Sequence, residues 1–319
     1  MPVTELEPWL DITDNSAAYD IHDTMTSRPT VVPTGLPSID GALWLWGDRR
    51  GIPRGTYMLI GGASNIGKTQ VGLMLAKQAA DAGERSAILS LDMRKRDAIA
   101  RIHQALTVGK IPWQDWVPSR WRPEYEQVLK DAIRKYRMSI TGAIGIHSGG
   151  RRTLDGVELL IREAADVGAT FFVVDHVQKI KVGGLGADNI MGRAEVVSEK
   201  LDDLCDELNV TICALSQLNR MASRETDRRP TMFDLWGGTA MESNSALVIM
   251  LDHSRYKRDE KLPYVGYTYW LLEKNQFGPK AISVPVEVNH ATLSIREAEP
   301  DEVSKYWDTA ERVRDRKRR

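Results

Sequence analysis

One segment of the chain has the residue types and spacing of a phosphate-binding loop. It fits the pattern G-x-x-x-x-G-K-[ST] at every fixed position and, with the next residue, reads Gly62-Ala63-Ser64-Asn65-Ile66-Gly67-Lys68-Thr69-Gln70. The glycines of such a loop let backbone N–H groups curl around phosphate oxygens. We expect Lys68 to meet the β- and γ-phosphates of a nucleoside triphosphate and the Thr69 hydroxyl to ligate Mg²⁺. Residues 62–70 are therefore the predicted site for ATP and Mg²⁺, and an ordinary glycine turn before a helix is the alternative.

The residues on both sides of this loop have the patterns of a strand and a helix. Thr56–Ile60 is a short apolar run bounded by glycine, as a buried strand is, and Gln70–Lys77 has apolar residues at helical spacing. A helix that begins at the loop adds partial positive charge where phosphates would lie. Strand, loop and helix therefore occur in the order that a phosphate-binding site requires.

Two acidic residues follow other strand-like segments and are candidates for chemistry at the phosphates. Phe171–Asp175 is a hydrophobic run, and a strand beside the loop would bring its last carboxylate to Mg²⁺ as a Walker B aspartate. Ala87–Asp92 ends in Asp92, which could orient the attacking water as catalytic base. A helix N-cap is the alternative role for Asp92. His176 could relay a proton or the state of the ligand, and a structural histidine is the alternative.

The alternation of strand-like and helix-like segments predicts an α/β fold. Residues 31–299 suit one P-loop domain with a central, mostly parallel sheet, flanked by helices and by antiparallel strands at the C-terminal edge. Residues 1–30 are an expected arm that contacts another subunit or is disordered, and residues 300–319 an expected basic tail. The predicted parallel strands are Ser86–Leu91, Ala143–His147, Thr170–Asp175, Thr211–Ser216 and Ala246–Leu251, the helices Arg94–Leu106, Tyr125–Arg137, Thr153–Val167 and Ala194–Leu208, and the antiparallel strands Val265–Glu273, Ala281–Glu287 and Thr292–Glu297.

Composition and charge restrict the class of protein. The chain has 319 residues, of which 42% are hydrophobic, so it can bury one large core. Its formal net charge of -1 argues against coating nucleic acid by bulk charge, so nucleic-acid contact must come from local patches. The absence of a long apolar run and of a signal peptide predicts a cytoplasmic protein without a membrane partner. Cys205 and Cys213 lack metal spacing and are expected in the core.

Several passages together resemble the DnaB-type replicative helicases, whose ATPase core is RecA-like. Two initial passages, residues 34–40 and 51–55, look closer to the RecA, RadA and KaiC proteins of the same superfamily. The passages similar to the helicases are S-L-D-M at 90–93 (family S-L-E-M), D-H-V-Q at 175–178 (D-Y-L-Q), S-Q-L-N-R at 216–220 (the same letters), R-P-T-M-F-D-L at 229–235 (R-P-x-x-x-D-L), M-E-S-N-S-A at 241–246 (I-E-Q-D-A-D) and E-K-N-Q-F-G-P at 273–279 (K-N-R-x-G-P).

The resemblance implies roles for individual residues and an assembly. Lys68, Thr69 and Asp175 would hold ATP and Mg²⁺, and Gln217 would sense the γ-phosphate and pass its state to the segment that follows. ATP in such proteins lies between subunits, so Lys274 of one protomer would reach the γ-phosphate bound by its neighbour. The resemblance therefore implies a homo-oligomer in the form of a hexameric ring.

Two segments are candidates for contact with single-stranded or forked DNA. Residues 179–193 follow the strand that ends in Asp175, and residues 219–229, here named the basic segment, follow Gln217. Both would line the central channel of a ring, and contact with DNA phosphates would be independent of base sequence and sensitive to salt. A mobile surface loop without a DNA role is the alternative for each. The candidate DNA-binding residues are Lys181, Arg193, Arg220, Arg224, Arg228 and Arg229.

Two positions depart from the family's pattern. Asp92 stands in place of a glutamate, which removes one methylene of reach, about 1.5 Å. A misplacement of that order can slow chemistry about a hundredfold. Gln276 stands in place of the family's arginine finger and carries no charge. Lys274 alone, or Arg255 or Arg258, would then have to stabilise charge on the γ-phosphate.

The sequence therefore favours an ATP-dependent DNA helicase, an ATP hydrolase of DNA replication or recombination. It would be a ring-forming motor that translocates on single-stranded DNA and opens duplex or branched DNA. A RecA-like recombinase ATPase is one alternative, favoured by the two initial passages. A nucleotide-gated DNA-binding or helicase-loading protein with little turnover is the other, favoured by Asp92 and Gln276.

Overall fold

The computed structural model of the protein describes most of the chain. The described ranges are residues 30–43, 45–46, 49–107, 110–139, 144–148, 152–219, 221–222, 228–252, 257–258, 265–289, 294–299 and 301–302. The division into an arm, a domain and a basic tail stays a prediction, because residues 1–29 and 303–319 lie outside these ranges.

Two small antiparallel sheets come first along the chain. Strand β1 (Val31–Val32) is followed by helix α1 (Pro37–Ala42) and by strands β2 (Leu45–Trp46), β3 (Arg49–Arg50) and β4 (Ile52–Pro53). Strand β1 pairs with β4, and β2 pairs with β3. These elements lead directly into the central strand of the main sheet.

Six parallel strands form one side of the main sheet. In chain order they are β5 (Tyr57–Gly62), β6 (Ser86–Ser90), β7 (Ile144–Ser148), β8 (Phe171–Asp175), β9 (Thr211–Gln217) and β10 (Leu247–Leu251). Their spatial order is β10-β5-β9-β8-β6-β7, so β5 lies inside the sheet and β8 is one strand removed from it. Because all six are parallel, the segments that follow them emerge at one edge.

Antiparallel strands extend the sheet on the β10 side. They are β11 (Lys257–Arg258), β12 (Val265–Asn275), β13 (Ile282–Asn289) and β14 (Ser294–Glu297). Strand β12 pairs with β10 and β13, β13 pairs with β14, and β11 pairs with β12. The predicted fold class, a mostly parallel sheet with antiparallel strands at its C-terminal edge, is confirmed.

Helices cover both faces of the parallel strands, which explains why these strands are apolar runs without alternation. Tyr57 and Leu59 of β5 pack into a core cluster with residues of α5 and α6, whereas Met58 and Ile60 pack into a second cluster with residues of α2. None of the helices in the described ranges is long and apolar enough to cross a membrane. These helices are α2 (Lys68–Asp81), α3 (Lys95–Leu106), α4 (Pro123–Ser139), α5 (Leu154–Asp166), α6 (Ile190–Leu208) and α7 (Thr239–Ser243).

Candidate active site

The phosphate loop lies between β5 and α2, as predicted. Asn65 and Gly67 have positive φ angles of 62° and 106°, which turn the chain sharply before the helix begins at Lys68. Glycine adopts such a conformation without strain, which accounts for Gly67. A Cβ at Gly62 would lie 2.9 Å from the Ile66 Cγ2 atom, so the first glycine allows the loop to fold back closely. Gly67 has no side chain to cap α2, which leaves the first-turn N–H groups suited to an anion.

The Lys68 ammonium is buried beneath this loop. Its Nζ atom donates hydrogen bonds to the carbonyl oxygens of Gly62, at 2.9 Å, and Ala63, at 2.7 Å. Burial lowers the pKa of Lys68 to about 8, and the negative charge of Asp175 opposes this shift. A buried cation whose hydrogen-bond partners within the described ranges are two carbonyl oxygens gains strongly from an added anion, as a phosphate-binding lysine should.

Thr69 and Asp175 lie together, as the sequence predicted. The Thr69 hydroxyl donates to the Asp175 Oδ2 atom at 2.8 Å, and the Asp175 side chain is almost completely buried. A hydroxyl oxygen and a carboxylate oxygen are hard donors of the kind that Mg²⁺ uses beside nucleotide phosphates. Among the described residues no larger cluster of metal ligands occurs. These two oxygens therefore fit a magnesium ion that is completed by phosphate and water.

His176 connects the predicted metal ligand to the predicted γ-phosphate sensor. Its Nδ1 atom lies 2.8 Å from the Asp175 Oδ1 atom, and its Nε2 atom lies 3.1 Å from the Gln217 amide nitrogen. The imidazole ring of His176 thus lies between the Asp175 carboxylate and the Gln217 amide. A continuous path of hydrogen bonds therefore runs from Thr69 through Asp175 and His176 to Gln217. Sequence reasoning gave His176 little weight; its position directly after the strand acid was the available signal.

Asp92, the candidate base, follows β6 beside this path. Its Oδ1 atom forms an ion pair with the Lys179 Nζ atom at 2.8 Å, and its Oδ2 atom lies 3.4 Å from the His176 Nε2 atom. The hydrogen bond from Lys179 is the main cause that lowers the pKa of Asp92 below its usual range. The side chain is 43% exposed, so water reaches it. Sequence reasoning missed Lys179, because nothing in its spacing shows that it pairs with a residue of another strand.

Lys274 lies away from the phosphate loop of its own chain. On β12 it pairs with Val248, which pairs with Leu59, whereas Gly62 at the loop pairs with Leu251. Along the strand direction, the position of Lys274 is therefore three residues, or about 10 Å, from that of Gly62. The Lys274 Nζ atom donates to the Glu242 and Ser243 carbonyl oxygens at 2.9 and 3.1 Å and lies 3.3 Å from the Glu242 carboxylate.

Gln276 directly follows the last residue of β12 and is exposed. Its main-chain N–H group donates to the Ala246 carbonyl oxygen at 3.0 Å, which sets the turn after Lys274 against the start of β10. The other two candidate fingers are not placed: Arg255 and the Arg258 side chain lie outside the described part of the chain.

The candidate DNA-binding residues differ in their surroundings. Lys181 is exposed, whereas Arg220 and Arg224 lie outside the described ranges. The Arg193 guanidinium donates to the Ile180 carbonyl oxygen at 2.7 Å and lies over the Trp236 ring.

The last two arginines of the basic segment have acidic partners. Arg228 forms two hydrogen bonds with the Asp234 carboxylate, each 2.7 Å long. Arg229 lies 3.4 Å from the Asp252 carboxylate and over the Tyr269 ring. Arg193, Arg228 and Arg229 are thus held by partners within the chain.

The position of the loop after an internal strand, with the acid of β8 one strand away, defines a P-loop nucleotide-binding protein with a RecA-like core. The family model described as the DnaB-like helicase C terminal domain matches residues 32–293, and the chain belongs to this family. The resemblance inferred from the sequence passages is therefore confirmed.

Curated relatives agree with this assignment. The chain is 25% identical over 250 residues to the replicative DNA helicase DnaB of Geobacillus stearothermophilus, covering 75% of this chain and 51% of that protein. It is 25% identical over 273 residues to the replicative DNA helicase DnaC of Bacillus subtilis (strain 168), covering 82% of this chain and 56% of that protein. The chain thus spans about half the length of the curated relatives it matches.

Solved structures show the same fold. A DnaB-like replicative helicase, whose structure was described together with its interactions with primase, has a TM-score of 0.69 at 21% identity, covering 89% of this chain and 66% of that one. A KaiC-like protein from Pyrococcus horikoshii OT3 has a TM-score of 0.53 at 19% identity, covering 85% of this chain and 100% of that one. Both likenesses show the fold alone.

Proposed function

We propose that the protein is an ATP-dependent DNA helicase, a ring-forming motor that moves on single-stranded DNA and opens duplex or branched DNA. The observation that carries the proposal is the hydrogen-bonded path from Thr69 to Gln217, because Gln217 leads directly into the basic segment. Membership in the DnaB-like family supports it, since relatives in that family are replicative DNA helicases. A cytoplasmic location, beside the DNA, goes with this function.

ATP hydrolysis would use the residues around the phosphate loop. Residues 62–70 would cradle the phosphates, Lys68 would pair with the β- and γ-phosphates, and Thr69 and Asp175 would hold Mg²⁺. When bound, Mg²⁺ would neutralise charge on the phosphate oxygens. Asp92 would accept a proton from the attacking water. For this step its exposed carboxylate must first be released from the ion pair with Lys179.

Assembly would complete the site. Lys274 lies about 10 Å along the strands from the level of Gly62, and its Nζ atom is bonded to Glu242 and Ser243 instead of facing the phosphate loop of its own chain. We propose that it reaches the γ-phosphate of a neighbouring protomer in a hexameric ring. Its present partner, Glu242, would release it at that interface.

Contact with single-stranded DNA would come from the two segments at the same edge of the sheet. Lys181 is exposed and suited to a phosphate contact, and we extend this role to Arg220 and Arg224 of the basic segment. For Arg193, Arg228 and Arg229 we propose that the internal partners position the segments, so that these residues act on DNA indirectly. The recombinase and loader alternatives are not favoured by the family match.

ATP turnover with and without single-stranded DNA tests this proposal, and particle images of the protein with nucleotide test the ring. We expect turnover that depends on Mg²⁺ and is stimulated by DNA, and six-membered rings. A Lys77→Gln variant, which alters an exposed lysine on the same helix as the loop, should match the unaltered protein. Negligible turnover with tight, nucleotide-dependent DNA binding would contradict the motor and favour a nucleotide-gated DNA-binding protein.

A further inference from the structure

Both flanks of the basic segment are bonded to one residue, Asp234. At the first flank, the Asn219 main-chain N–H group donates to the Asp234 carbonyl oxygen at 2.7 Å. At the second flank, the Arg228 guanidinium donates through Nη1 and Nη2 to the two carboxylate oxygens of Asp234, each at 2.7 Å. Two parallel hydrogen bonds between charged groups give both strength and a fixed orientation.

Asp234 is itself held firmly. It is only 7% exposed, and its Oδ2 atom also accepts from the Thr231 N–H group at 2.8 Å and from the Thr231 hydroxyl at 3.1 Å. The bond from the Thr231 N–H group to the Asp234 carboxylate is part of a capping box, and the Asp234 N–H group also donates to the Thr231 carbonyl oxygen at 3.0 Å. The Arg228 hydrogen bonds are the main cause that lowers the pKa of Asp234, so the carboxylate stays charged at neutral pH.

The turn that contains Asp234 is also hydrogen-bonded to the end of β9. The Trp236 N–H group donates to the Gln217 carbonyl oxygen at 2.9 Å, and Leu218 forms an isolated antiparallel bridge with Leu235. Gln217 is the residue whose amide contacts His176. The sensor residue and both flanks of the basic segment are therefore bonded to one short turn, residues 231–236.

We propose that Asp234 is a positioning residue that couples the nucleotide site to the basic segment. Its main-chain carbonyl oxygen holds Asn219, its carboxylate holds Arg228, and its turn is bonded to the end of β9, so that a displacement of Gln217 moves both flanks together. The Arg228 guanidinium then serves Asp234 and not a DNA phosphate. The coupling role rests on the proposed function, whereas all the contacts that support it lie within this chain.

Three variants of the full chain test the coupling: Asp234→Asn, Arg228→Gln and the double variant. Asparagine keeps an oxygen for Thr231, so the turn should remain folded while the charged pair is lost. We expect each single variant to lose about fivefold or more of the DNA stimulation of ATP turnover, the lower end of typical coupling between sites. Because the two residues act through each other, the double variant should lose no more than either single variant.

Two further measurements separate positioning from direct DNA contact. The slope of log affinity against log salt should stay unchanged in Arg228→Gln, whereas loss of a phosphate contact would reduce it by about 0.7. Lys130→Gln, which breaks an exposed ion pair on α4, is the matched control and should change neither stimulation nor slope. A reduced slope in Arg228→Gln, or single losses that multiply in the double variant, would overturn the proposal.

Hydrogen exchange distinguishes failure of this inference from failure of the proposed function. We expect a non-hydrolysable ATP analogue with Mg²⁺ to slow amide exchange across residues 217–236 in the unaltered protein, and this response to be lost in Asp234→Asn. If DNA does not stimulate turnover at all, the proposed function fails, but this comparison still judges the coupling. Exchange that does not respond to nucleotide, or that responds equally in both proteins, overturns the positioning role of Asp234.

Discussion

Lys68 should take up a proton when nucleotide binds. Burial beneath the loop lowers its pKa to about 8 in the nucleotide-free protein. Phosphate charges beside the ammonium would favour its charged form and return the pKa toward its ordinary value of about 10.4. At pH 8 about half of the free molecules lack this proton and nearly all of the bound ones carry it, so about 0.5 proton enters for each nucleotide.

The proton uptake by Lys68 on nucleotide binding should increase with pH. With a pKa of about 8, the uptake should be about 0.1 proton at pH 7 and about 0.9 at pH 9. Since the protonated form binds, affinity should fall as the pH rises through 8. Calorimetric titration with a Mg²⁺-bound ATP analogue, repeated in buffers of different ionisation enthalpy, measures the uptake directly. Lys77→Gln should show the same profile. An uptake that is constant between pH 7 and 9, or a release of protons, would refute the assignment of Lys68.

Three further variants follow from the site and the fold. Asp175→Asn should lower Mg²⁺-dependent ATP turnover by about a hundredfold, because it removes a charged contributor to the site. Lys179→Gln should raise turnover, because it releases Asp92 from its ion pair, and steady-state ATPase assays measure both changes. Gly237→Ala should lower the free energy of unfolding by about 1–3 kcal/mol in urea titrations, because the position has φ +78° and the new Cβ would overlap the Ala194 Cβ.

Each of these predictions has a control and a contradicting outcome. Lys77→Gln should leave turnover unchanged, and a fall in turnover for Lys179→Gln would mean that the lysine assists Asp92 instead of restraining it. Turnover that survives both Asp175→Asn and chelation of Mg²⁺ would contradict the metal assignment. Gly183→Ala adds a Cβ with nothing within 4 Å and should change stability by less than about 0.5 kcal/mol. An equal loss for both glycines would contradict the close packing at Gly237.

The parallel strands and the loop could be predicted because their signals are local. The strand that ends in Asp175 was predicted to within one residue, and the parallel arrangement then required its acid to emerge near Thr69. The late antiparallel strands were predicted in the same way, from the absence of helical patterns between them. Such periodicity depends on which faces of an element are buried, and the apolar or polar type of each residue indicates burial directly.

Partner choice among charged side chains could not be predicted, because it depends on directions taken after the strands end. The short turn Val177–Lys179 brings Lys179 to Asp92, which follows the neighbouring strand β6. No spacing in the sequence indicates this contact. Arg228 and Asp234 are only six residues apart, yet a run of arginines gives no sign that one of them pairs internally. The resemblance to the helicases supplied the passage but not the contact.

Strand separation on a forked duplex tests the central claim most directly. A labelled fork with two single-stranded arms is incubated with the protein, ATP and Mg²⁺, and release of the labelled strand is followed by fluorescence. We predict release that requires hydrolysable ATP and is abolished by Lys68→Ala. A protein that hydrolyses ATP yet releases no more strand than Lys68→Ala would contradict the account of a DNA-opening motor.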